Sequence, residues 1–398
     1  MRPAGTCIIM YTWAFSFIKN EANMVTIEMV DLNNKKQIND FVQFHYDLYK
    51  DCPQWVPPFV SDIKAMLNPK KHPYYDHSDA EFFVAKKNGK IAGRISVMEN
   101  KPFNQYHQSK KAQFYLFDVI DDQEVNSALF DMAREWAKKR GLTELIGPKG
   151  FGPLDGYGLL YEGYEHRQMM NMMNYNYPYY IKLIEDYGFH HANEFVSCYL
   201  DPSNYVVPVK AQRVADKVIE RGKMYVKEFK SKRELIAMGQ RIGDAYNKAF
   251  INNWEYYPLS ERELDFVIGN IMVIADPKLM KIIMHEEEVI GFLFVFPDIS
   301  RAMQKIKGKL NPLTILNLLR ELKQTDWISL NGVGVLPEYQ GMGGNALMYS
   351  EIAKTLKSTQ FKHAEETQMA DTAVQVRKDM ENLGAKIYKR HKVYAIEV

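Results

Sequence analysis

Cysteine is scarce in this chain, with three among 398 residues: Cys7, Cys52 and Cys198. They stand far apart and form no CxxC pair, which excludes a disulfide scaffold. Histidine offers no metal-ligand spacing either, because the side chains of the adjacent His190 and His191 would point to opposite faces of a strand. We therefore predict no structural metal and a cytoplasmic location.

The chain also lacks an excess of either charge. Lys and Arg number 51 against 49 Asp and Glu, which gives a formal net charge of +2. Proteins that bind nucleic acid electrostatically carry a clear basic excess, so we predict no nucleic-acid partner.

Hydrophobic runs long enough to span a bilayer are missing as well. The apolar stretch 7–18 is too short, and it is followed by Lys19, Asn20 and Glu21 rather than by a small-residue cleavage site. We predict no integral membrane segment. We expect residues 1–23 to be an extension outside the fold, with Met24 as an alternative start.

A composition of 46% hydrophobic and 25% charged residues is typical of a soluble globular protein, and the length favours two domains. Hydrophobic periodicity and turn residues predict the elements of the first half. These are a strand at 25–30, a helix at 35–49, hairpin strands at 81–87 and 91–98 around Asn88-Gly89, a strand at 112–117, a helix at 125–140 and a strand at 144–146.

The second half repeats this βαβββαβ order. Its predicted elements are a strand at 224–229, helices at 232–249 and 261–271, hairpin strands at 280–284 and 289–296, a strand at 327–336, a helix at 345–356 and a strand at 364–368. We therefore predict an α/β fold of two tandem repeats, 24–201 and 208–398, each a mixed central sheet flanked by helices.

A basic insert interrupts the second half at 301–324. Pro312 is placed to open a helix in which Ile315, Leu318, Leu319 and Leu322 share one face. We expect that face to cover the core. The alternative is that an amphipathic helix here touches a membrane or an acyl chain.

One glycine-rich turn joins the predicted strand at 327–336 to the helix that follows. In Gln340-Gly341-Met342-Gly343-Gly344-Asn345 the glycines let a ligand approach the backbone closely. The helix start adds unpaired backbone N–H groups and the positive end of the helix dipole. Such a turn favours phosphate oxygens, although a purely structural tight turn is an alternative.

Gln340 and Gly343, behind a strand and Pro337, resemble the Q/R-x-x-G-x-G/A signature of the GNAT acyltransferases, in particular bacterial tandem-GNAT proteins of largely unassigned substrate. Asn345 departs from it, because the family has Gly or Ala there. The resemblance implies an acyl-CoA co-substrate. Its implied contacts are Val333, Gly334 and Val335 for the pantetheine arm, and Gln340, Gly341, Met342, Gly343, Gly344, Asn345 and Ala346 for the pyrophosphate.

The first half has no glycine at the matching place, where Asp121, Asp122 and Glu124 would repel a phosphate group. We therefore predict that the first repeat does not bind the cofactor and instead shapes the acceptor site. A Tyr- and Met-rich stretch at 147–180 supports that role, and a packed seam between the repeats is the alternative.

Acyl transfer to an amine needs a base for the ammonium and an acid for the leaving thiolate. Many GNAT enzymes supply the acid from a Tyr before the last glycine turn, but this chain has Met380 there. Our candidates are therefore Glu366, Asp371, Asn331, Tyr388 and Tyr394.

The resemblance implies an acyl-CoA dependent N-acyltransferase acting on a small-molecule or lipid-like amine, with long-chain N-acylation as a refinement. Two other hypotheses stay open. One is a non-catalytic acyl-CoA binding or sensing protein, and the other is an aminoacyl-tRNA dependent ligase of the tandem-GNAT type.

Overall fold

The fold is described from a computed structural model, in which residues 24–153 and 155–398 are described. The predicted extension at residues 1–23 lies outside the described residues. None of the helices within these ranges is long and apolar enough to cross a membrane.

The first half contains seven strands and five helices among the described residues. They are β1 (Thr26–Met29), α1 (Lys35–Leu48), α2 (Val60–Met66), β2 (Asp79–Lys87), β3 (Lys90–Glu99), α3 (Lys101–Tyr106), β4 (Lys111–Val119), α4 (Gln123–Lys139), β5 (Glu144–Gly147), β6 (Leu159–Glu162), α5 (Tyr179–Tyr187) and β7 (His190–Leu200).

The second half follows after a short 3-10 turn. It contains α6 (Val209–Glu220), β8 (Met224–Lys227), α7 (Lys232–Ala237), α8 (Gly239–Ala249), α9 (Glu261–Ile274), β9 (Lys281–His285), β10 (Glu288–Pro297), α10 (Ser300–Ile306), α11 (Pro312–Gln324), β11 (Trp327–Val335), α12 (Gly344–Lys357), β12 (His363–Ala370), α13 (Val374–Asn382) and β13 (Lys386–Glu397).

Local signals in the sequence placed most of these elements correctly. The first hairpin turns at Asn88 and Gly89, whose φ angles of 54° and 72° are those that a tight hairpin turn requires. One predicted helix, 232–249, is instead two helices. The first helix ends at Ala237 and the second begins at Gly239. An added Cβ on Gly239 would lie 3.3 Å from Ile268 of α9, so the absence of a side chain there lets α8 and α9 approach closely.

The insert forms α10 and α11, and Pro312 opens α11 as predicted, with Asn311 capping it. The apolar face expected to cover the core does so only in part. Leu318 is buried, whereas Ile315 and Leu319 remain 45% and 50% exposed.

All strands join one continuous mixed sheet. Their order is β1-β2-β3-β4-β5-β13-β7-β12-β11-β10-β9-β8, with β6 attached to β13. The two halves therefore exchange their closing strands: β13 pairs with β5 of the first half, and β7 pairs with β12 of the second.

The exchanged strands also bury their side chains in the opposite half. Tyr394 of β13 packs in the core around Phe114 and Phe130, whereas Cys198 and Leu200 of β7 pack in the core of the second half. The sequence pattern alone does not specify which half each closing strand joins. The division at 201 and 208 stays a prediction, and cutting the chain there would separate β7 from β12 and β13 from β5.

Candidate active site

The parallel strands β11 and β12 separate part of the way along the sheet. Their pairing ends with Leu330 opposite Glu366, although β11 continues to Val335 and β12 to Ala370. The separation leaves an opening between two neighbouring strands.

A β-bulge lies where the two strands part. Asn331 and Gly332 of β11 together oppose the single residue Phe294 of β10. Gly332 has a φ of 94°, a left-handed conformation that favours glycine. The bulge turns the Asn331 side chain across the opening, where its Nδ2 donates to Thr367 Oγ1 of β12 at 3.2 Å.

Beyond the opening, the edge of β11 that faces away from β10 has no strand partner among the described residues. This edge comprises Val333, Gly334 and Val335. A side chain at Gly334 would be obstructed, because an added Cβ would lie 2.7 Å from Cζ of Phe292. The free edge can therefore receive an extended ligand through its backbone groups.

The glycine-rich turn then leads into α12. Gly343 is the N-cap residue, with a φ of 97°, and an added Cβ would lie 2.7 Å and 2.8 Å from Val218 and Val214 of α6. Gly341 has a φ of 76° and faces open space. Both glycines are required by the backbone conformation, and Gly343 also by the packing of α6.

The first amides of α12 receive no side-chain cap. The backbone N–H groups of Gly344, Asn345 and Ala346 are the unpaired donors of a helix start, and the helix dipole adds positive potential there. Gln340 anchors the turn, because its Nε2 donates to the carbonyl oxygen of Val335 at 3.2 Å. A helix start with free amides of this kind can bind an anion.

A cavity of about 280 Å³ lies in front of the opening and is lined by both halves of the chain. Asn331 and Gly332 contribute from β11, Tyr246 from α8, Phe250 from the residue after α8, and Lys149 from the first half. Any ligand that reaches the opening from this side contacts both repeats.

A buried ion network forms part of that cavity wall. The Nζ atoms of Lys149 and Lys111 lie 2.6 Å and 3.0 Å from the two carboxylate oxygens of Glu255. Burial raises the pKa of Glu255, but the two lysines outweigh it and hold that pKa below its ordinary value. Burial also lowers the pKa of Lys149. We did not predict this network, because Lys149 and Glu255 are separated by 106 residues in the sequence.

No protein-family model matches the chain. Among solved structures, a tandem GNAT protein from the clavulanic acid biosynthesis pathway matches with a TM-score of 0.54 over 94% of this chain and 98% of its own, at 12% identity. The chain has the tandem GNAT fold. A GCN5-related glucosamine N-acetyltransferase region in a fungal multi-domain GH3 beta-N-acetylglucosaminidase matches with a TM-score of 0.55, at 13% identity, over 94% of this chain and 38% of that one.

Two curated proteins are similar in sequence. Protein YghO of Escherichia coli (strain K12) is 26% identical over 373 residues, 92% of this chain and 94% of that protein. The bacterial ceramide synthase of Caulobacter vibrioides is 24% identical over 298 residues, 75% of this chain and 77% of that protein. The predicted resemblance to the GNAT family and the predicted α/β fold are confirmed.

Two of the five candidate catalytic residues of this GNAT-fold chain lie at the opening. Asn331 bridges it, and Glu366 stands at the last paired position of β12. Glu366 is buried, its Oε2 has no hydrogen-bond partner among the described residues, and burial raises its pKa to about 8. A carboxyl with such a pKa is suited to proton transfer near neutral pH.

The other three candidates lie elsewhere. Asp371 follows the end of β12 and pairs with Arg377. The Tyr388 hydroxyl donates to Glu365, and burial raises the Tyr388 pKa strongly. Tyr394 donates to Glu185 Oε1 at 2.8 Å within the first half, because β13 joins that half of the sheet.

The first repeat contains the same bulge and the same separation of parallel strands. We call this repeat closed, because the helix start that follows is capped by one of its own side chains. Pairing of β4 with β5 ends at Gln113 opposite Ile146, and Leu116 has a φ of 45° at the bulge. The helix start that follows is capped internally. Asp122 accepts from the backbone N–H groups of Glu124 and Val125 at 3.0 Å and 3.2 Å, so its carboxylate takes the place of an external anion.

Asp118 stands next to last in β4, where β11 has Gly334. Its Oδ2 lies 2.6 Å from Arg94 Nε and 2.9 Å from His45 Nδ1. Burial raises the pKa of Asp118, but His45 and Arg94 outweigh it and hold that pKa well below its ordinary value. Burial lowers the pKa of His45, which leaves the pair of Asp118 and Arg94 as a buried, balanced ion pair.

Within the described residues, no group of three or more His, Cys, Asp or Glu side chains is arranged to hold a metal ion.

Proposed function

We propose that this chain is an N-acyltransferase that takes its acyl group from an acyl-CoA bound at the second repeat. The observation that carries the proposal is the uncapped start of α12. It adjoins a free strand edge, Val333 to Val335, and the opening between β11 and β12. The three features lie in the order in which a pyrophosphate, a pantetheine arm and a thioester follow one another.

The residues present fit the co-substrate. The N–H groups of Gly344, Asn345 and Ala346 would hold the pyrophosphate, and no acidic side chain caps that helix start. The backbone of Val333 to Val335 would pair with the pantetheine arm. The thioester carbonyl would then lie by the bulge, where the Asn331 amide offers an N–H.

The nitrogen of the neutral amine attacks the thioester carbonyl carbon, so that a C–N bond forms and the C–S bond breaks. The proton that the nitrogen loses balances the proton that the thiolate takes up to leave as free CoA. We propose Glu366 as the group that exchanges a proton during this step, because it is the candidate with a raised pKa at the opening.

A lipid-like amine is the acceptor that the relatives favour. One relative, 24% identical over 75% of this chain, is named a bacterial ceramide synthase, and a ceramide is an amide between a fatty acyl group and a long-chain amine. The aromatic side chains of Tyr246 and Phe250 in the wall of the cavity at the opening are compatible with such an acceptor.

The test is thiol release from acetyl-CoA and palmitoyl-CoA in the presence of butylamine or sphinganine. We expect turnover with sphinganine. Asn345→Asp places a negative charge at the pyrophosphate, so the KM for acyl-CoA should rise at least ten-fold, whereas Asn345→Gln should stay within about three-fold of the parent. An acidic residue at a helix start does not weaken the helix, so the loss would not come from unfolding.

A non-catalytic acyl-CoA binding protein is the second candidate. It is favoured by Met380, which is buried where many GNAT enzymes have the acidic Tyr, and by the fact that Tyr388 and Tyr394 are bound to carboxylates elsewhere. Acyl-CoA binding without thiol release, whatever the amine, would establish this function and contradict the first.

A further inference from the structure

A second and larger cavity, of about 490 Å³, is lined by residues of both repeats. Its wall is mainly apolar and includes Trp55, Ile63, Phe266, Met303 and Leu318. Sites for small organic ligands fall in the range of about 300–1,000 Å³ and are lined in this way.

The insert of the second repeat covers this cavity. The backbone N–H of Val60 donates to the carbonyl oxygen of Gly308 at 2.9 Å, and Gln304 Nε2 donates to the carbonyl oxygen of Trp55 at 2.9 Å. Leu310 and Leu318 complete the cover. The cavity is therefore assembled from both repeats, like the cavity at the opening.

This cavity is not arranged for a second acyl-CoA. Asp122 already occupies the amides of α4, and Asp118 in the cavity wall is bound by Arg94 and His45. The space left where the first repeat would hold a cofactor is thus available to a ligand without phosphate groups.

A thin wall separates the two cavities. Gln368 Nε2 donates to the carbonyl oxygens of Met172 at 2.7 Å and Asp155 at 3.2 Å, and Asn331 Nδ2 lies 2.8 Å from Met172 Sδ. Both cavities are also lined by Phe151. Met172, which lines the larger cavity, thus contacts Asn331 at the opening.

Acidic side chains mark that end of the larger cavity. The Asp155 carboxylate accepts from the backbone N–H of Gly152 at 2.8 Å, and no Lys, Arg or His among the described residues pairs with it. Asp62 also lines the cavity and acts electrostatically on Asp155. An unpaired carboxylate in an apolar wall favours a cationic ligand group.

We infer that the larger cavity is the acceptor site. It binds the hydrocarbon chain of a long-chain primary amine, and Asp155 holds the ammonium group. This inference rests on the proposed function, because it names the substrate class and its binding residues. The ammonium end of the amine would then lie beside Met172 and Gln368, which border the opening where the acyl group is held.

Binding of the amine alone provides the test, measured by calorimetry on the full chain below the micelle concentration. Asp155→Asn should weaken hexadecylamine binding at least ten-fold and leave the neutral hexadecanol unchanged. Ala65→Phe, which fills the cavity from α2, and Asn270→Trp, which fills it from α9, should weaken both ligands. Ala128→Phe on α4, which lines neither cavity, is the control and should change neither.

Unchanged binding of both ligands in the two filled variants, with folding intact by circular dichroism, would overturn the inference. So would a loss of palmitoyl-CoA affinity with hexadecylamine binding unaffected, because the cavity would then hold the acyl chain. Absence of thiol release with normal amine binding would contradict the proposed enzyme and leave the amine site standing.

A separate surface lies on the outer side of α11. Leu313, Leu316 and Leu319 are 74%, 64% and 50% exposed. Basic residues surround them in the sequence, and the one acidic residue among them, Glu321, is buried and lies 3.7 Å from Lys305. Arg301 and Lys305 are exposed and pair with Asp326 and Glu321, and the other exposed basic residues are Lys307, Lys309, Arg320 and Lys323.

We propose that this face of α11 lies on an anionic membrane surface. Exposed leucines beside lysines are typical of helices that insert their apolar face at the headgroup boundary, and each basic residue adds attraction to anionic lipids. Because Leu310 and Leu318 of the same segment line the acceptor cavity, an amine dissolved in the membrane would enter next to it.

Co-sedimentation with phosphatidylglycerol and phosphatidylcholine vesicles tests this proposal. The parent should bind the anionic vesicles at least five-fold better. Leu313→Glu with Leu316→Glu should abolish binding, whereas Val206→Glu with Val209→Glu, at positions 69% and 68% exposed, should preserve it. Equal vesicle binding by both double variants would overturn the proposal. The proposal would also fail if the parent bound no vesicles and formed a dimer that only the α11 double variant dissociates, because the exposed leucines would then contact a second copy of the chain.

Discussion

The starts of α4 and α12 occupy matching places in the two repeats and have opposite chemistry. At α12 the N-cap is Gly343, which leaves the first amides free. At α4 the N-cap is Asp122, whose carboxylate takes two of those amides. The strands before them differ in the same sense, with Gly334 in one and the ion-paired Asp118 in the other. One fold thus contains one helix start with free amides and one whose amides are capped, and Asp122 and Asp118 contribute to the difference.

The closed repeat should depend strongly on its buried ion pair. Asp118→Asn leaves Arg94 buried without a charged partner, so we expect a loss of about 3–5 kcal/mol in the free energy of unfolding. Urea titration measures it. The control Glu81→Gln breaks the surface pair with Arg140 and should cost about 1 kcal/mol or less. Similar losses in both variants would contradict the role assigned to burial.

The open repeat holds a buried carboxyl, Glu366, at the last paired position of β12, whereas the closed repeat has Ile146 at the last paired position of β5. The pKa of Glu366 is raised from 4.5 to about 8, so the folded protein retains a proton that the unfolded chain releases. Stability of the parent should therefore fall as pH rises from about 4.5 to 8 and then level off.

Glu366→Gln removes this pH dependence. Relative to the parent it should gain on the order of 2–4 kcal/mol at pH 9 and show no gain at pH 4. Thermal unfolding across that pH range checks the sign. If Glu366 also exchanges the proton in acyl transfer, kcat falls in the same variant while acyl-CoA binding persists.

Adding one methyl group to the turn before α12 should weaken the binding of acyl-CoA. Gly343→Ala meets Val214 and Val218 and must hold a φ of 97°, so acyl-CoA affinity should fall about 100-fold, which corresponds to about 3 kcal/mol. Gly89→Ala is the matched control, because it has a φ of 72° in open space far from the turn. Calorimetry measures the acyl-CoA affinity of both variants, and the control shows whether backbone strain elsewhere in the chain also lowers it. Equal affinities of the two variants would argue against the turn as the pyrophosphate site.

Opening the closed helix start is the smallest change. Asp122→Ala frees the amides of Glu124 and Val125 and should cost about 1 kcal/mol of stability. We expect no acyl-CoA binding at this position, because Asp118 and Glu124 remain nearby. A second bound acyl-CoA per chain in equilibrium dialysis would show that Asp122 alone keeps the first repeat closed.

Several features of the site follow from adjacent residues. The strand at 327–336, the turn from Gln340 to Asn345 and the helix behind it were predicted together, and Gly343 has the left-handed φ that only glycine adopts readily. The acidic segment after β4 likewise predicted a repeat without a phosphate site, and Asp122 fills that place by a hydrogen bond to residues two and three positions away.

Other features depend on residues far apart in the chain. Tyr394 was a candidate for the second repeat, yet β13 carries it into the first, because strand pairing is decided by the partners available and not by sequence order. Lys149 and Glu255 meet only through the packing of the two halves. The acceptor cavity also needs the insert of one repeat to lie over the other.

The sequence by itself thus determined the tandem GNAT repeats and the glycine-rich turn before α12, because backbone conformation and amphipathic periodicity are local properties. The tertiary structure decided the exchange of β7 and β13, the pairing of Asp118 with Arg94 and His45, and the two adjoining cavities. Those depend on which surfaces meet after folding, and contacts between distant segments leave no periodic pattern in the sequence.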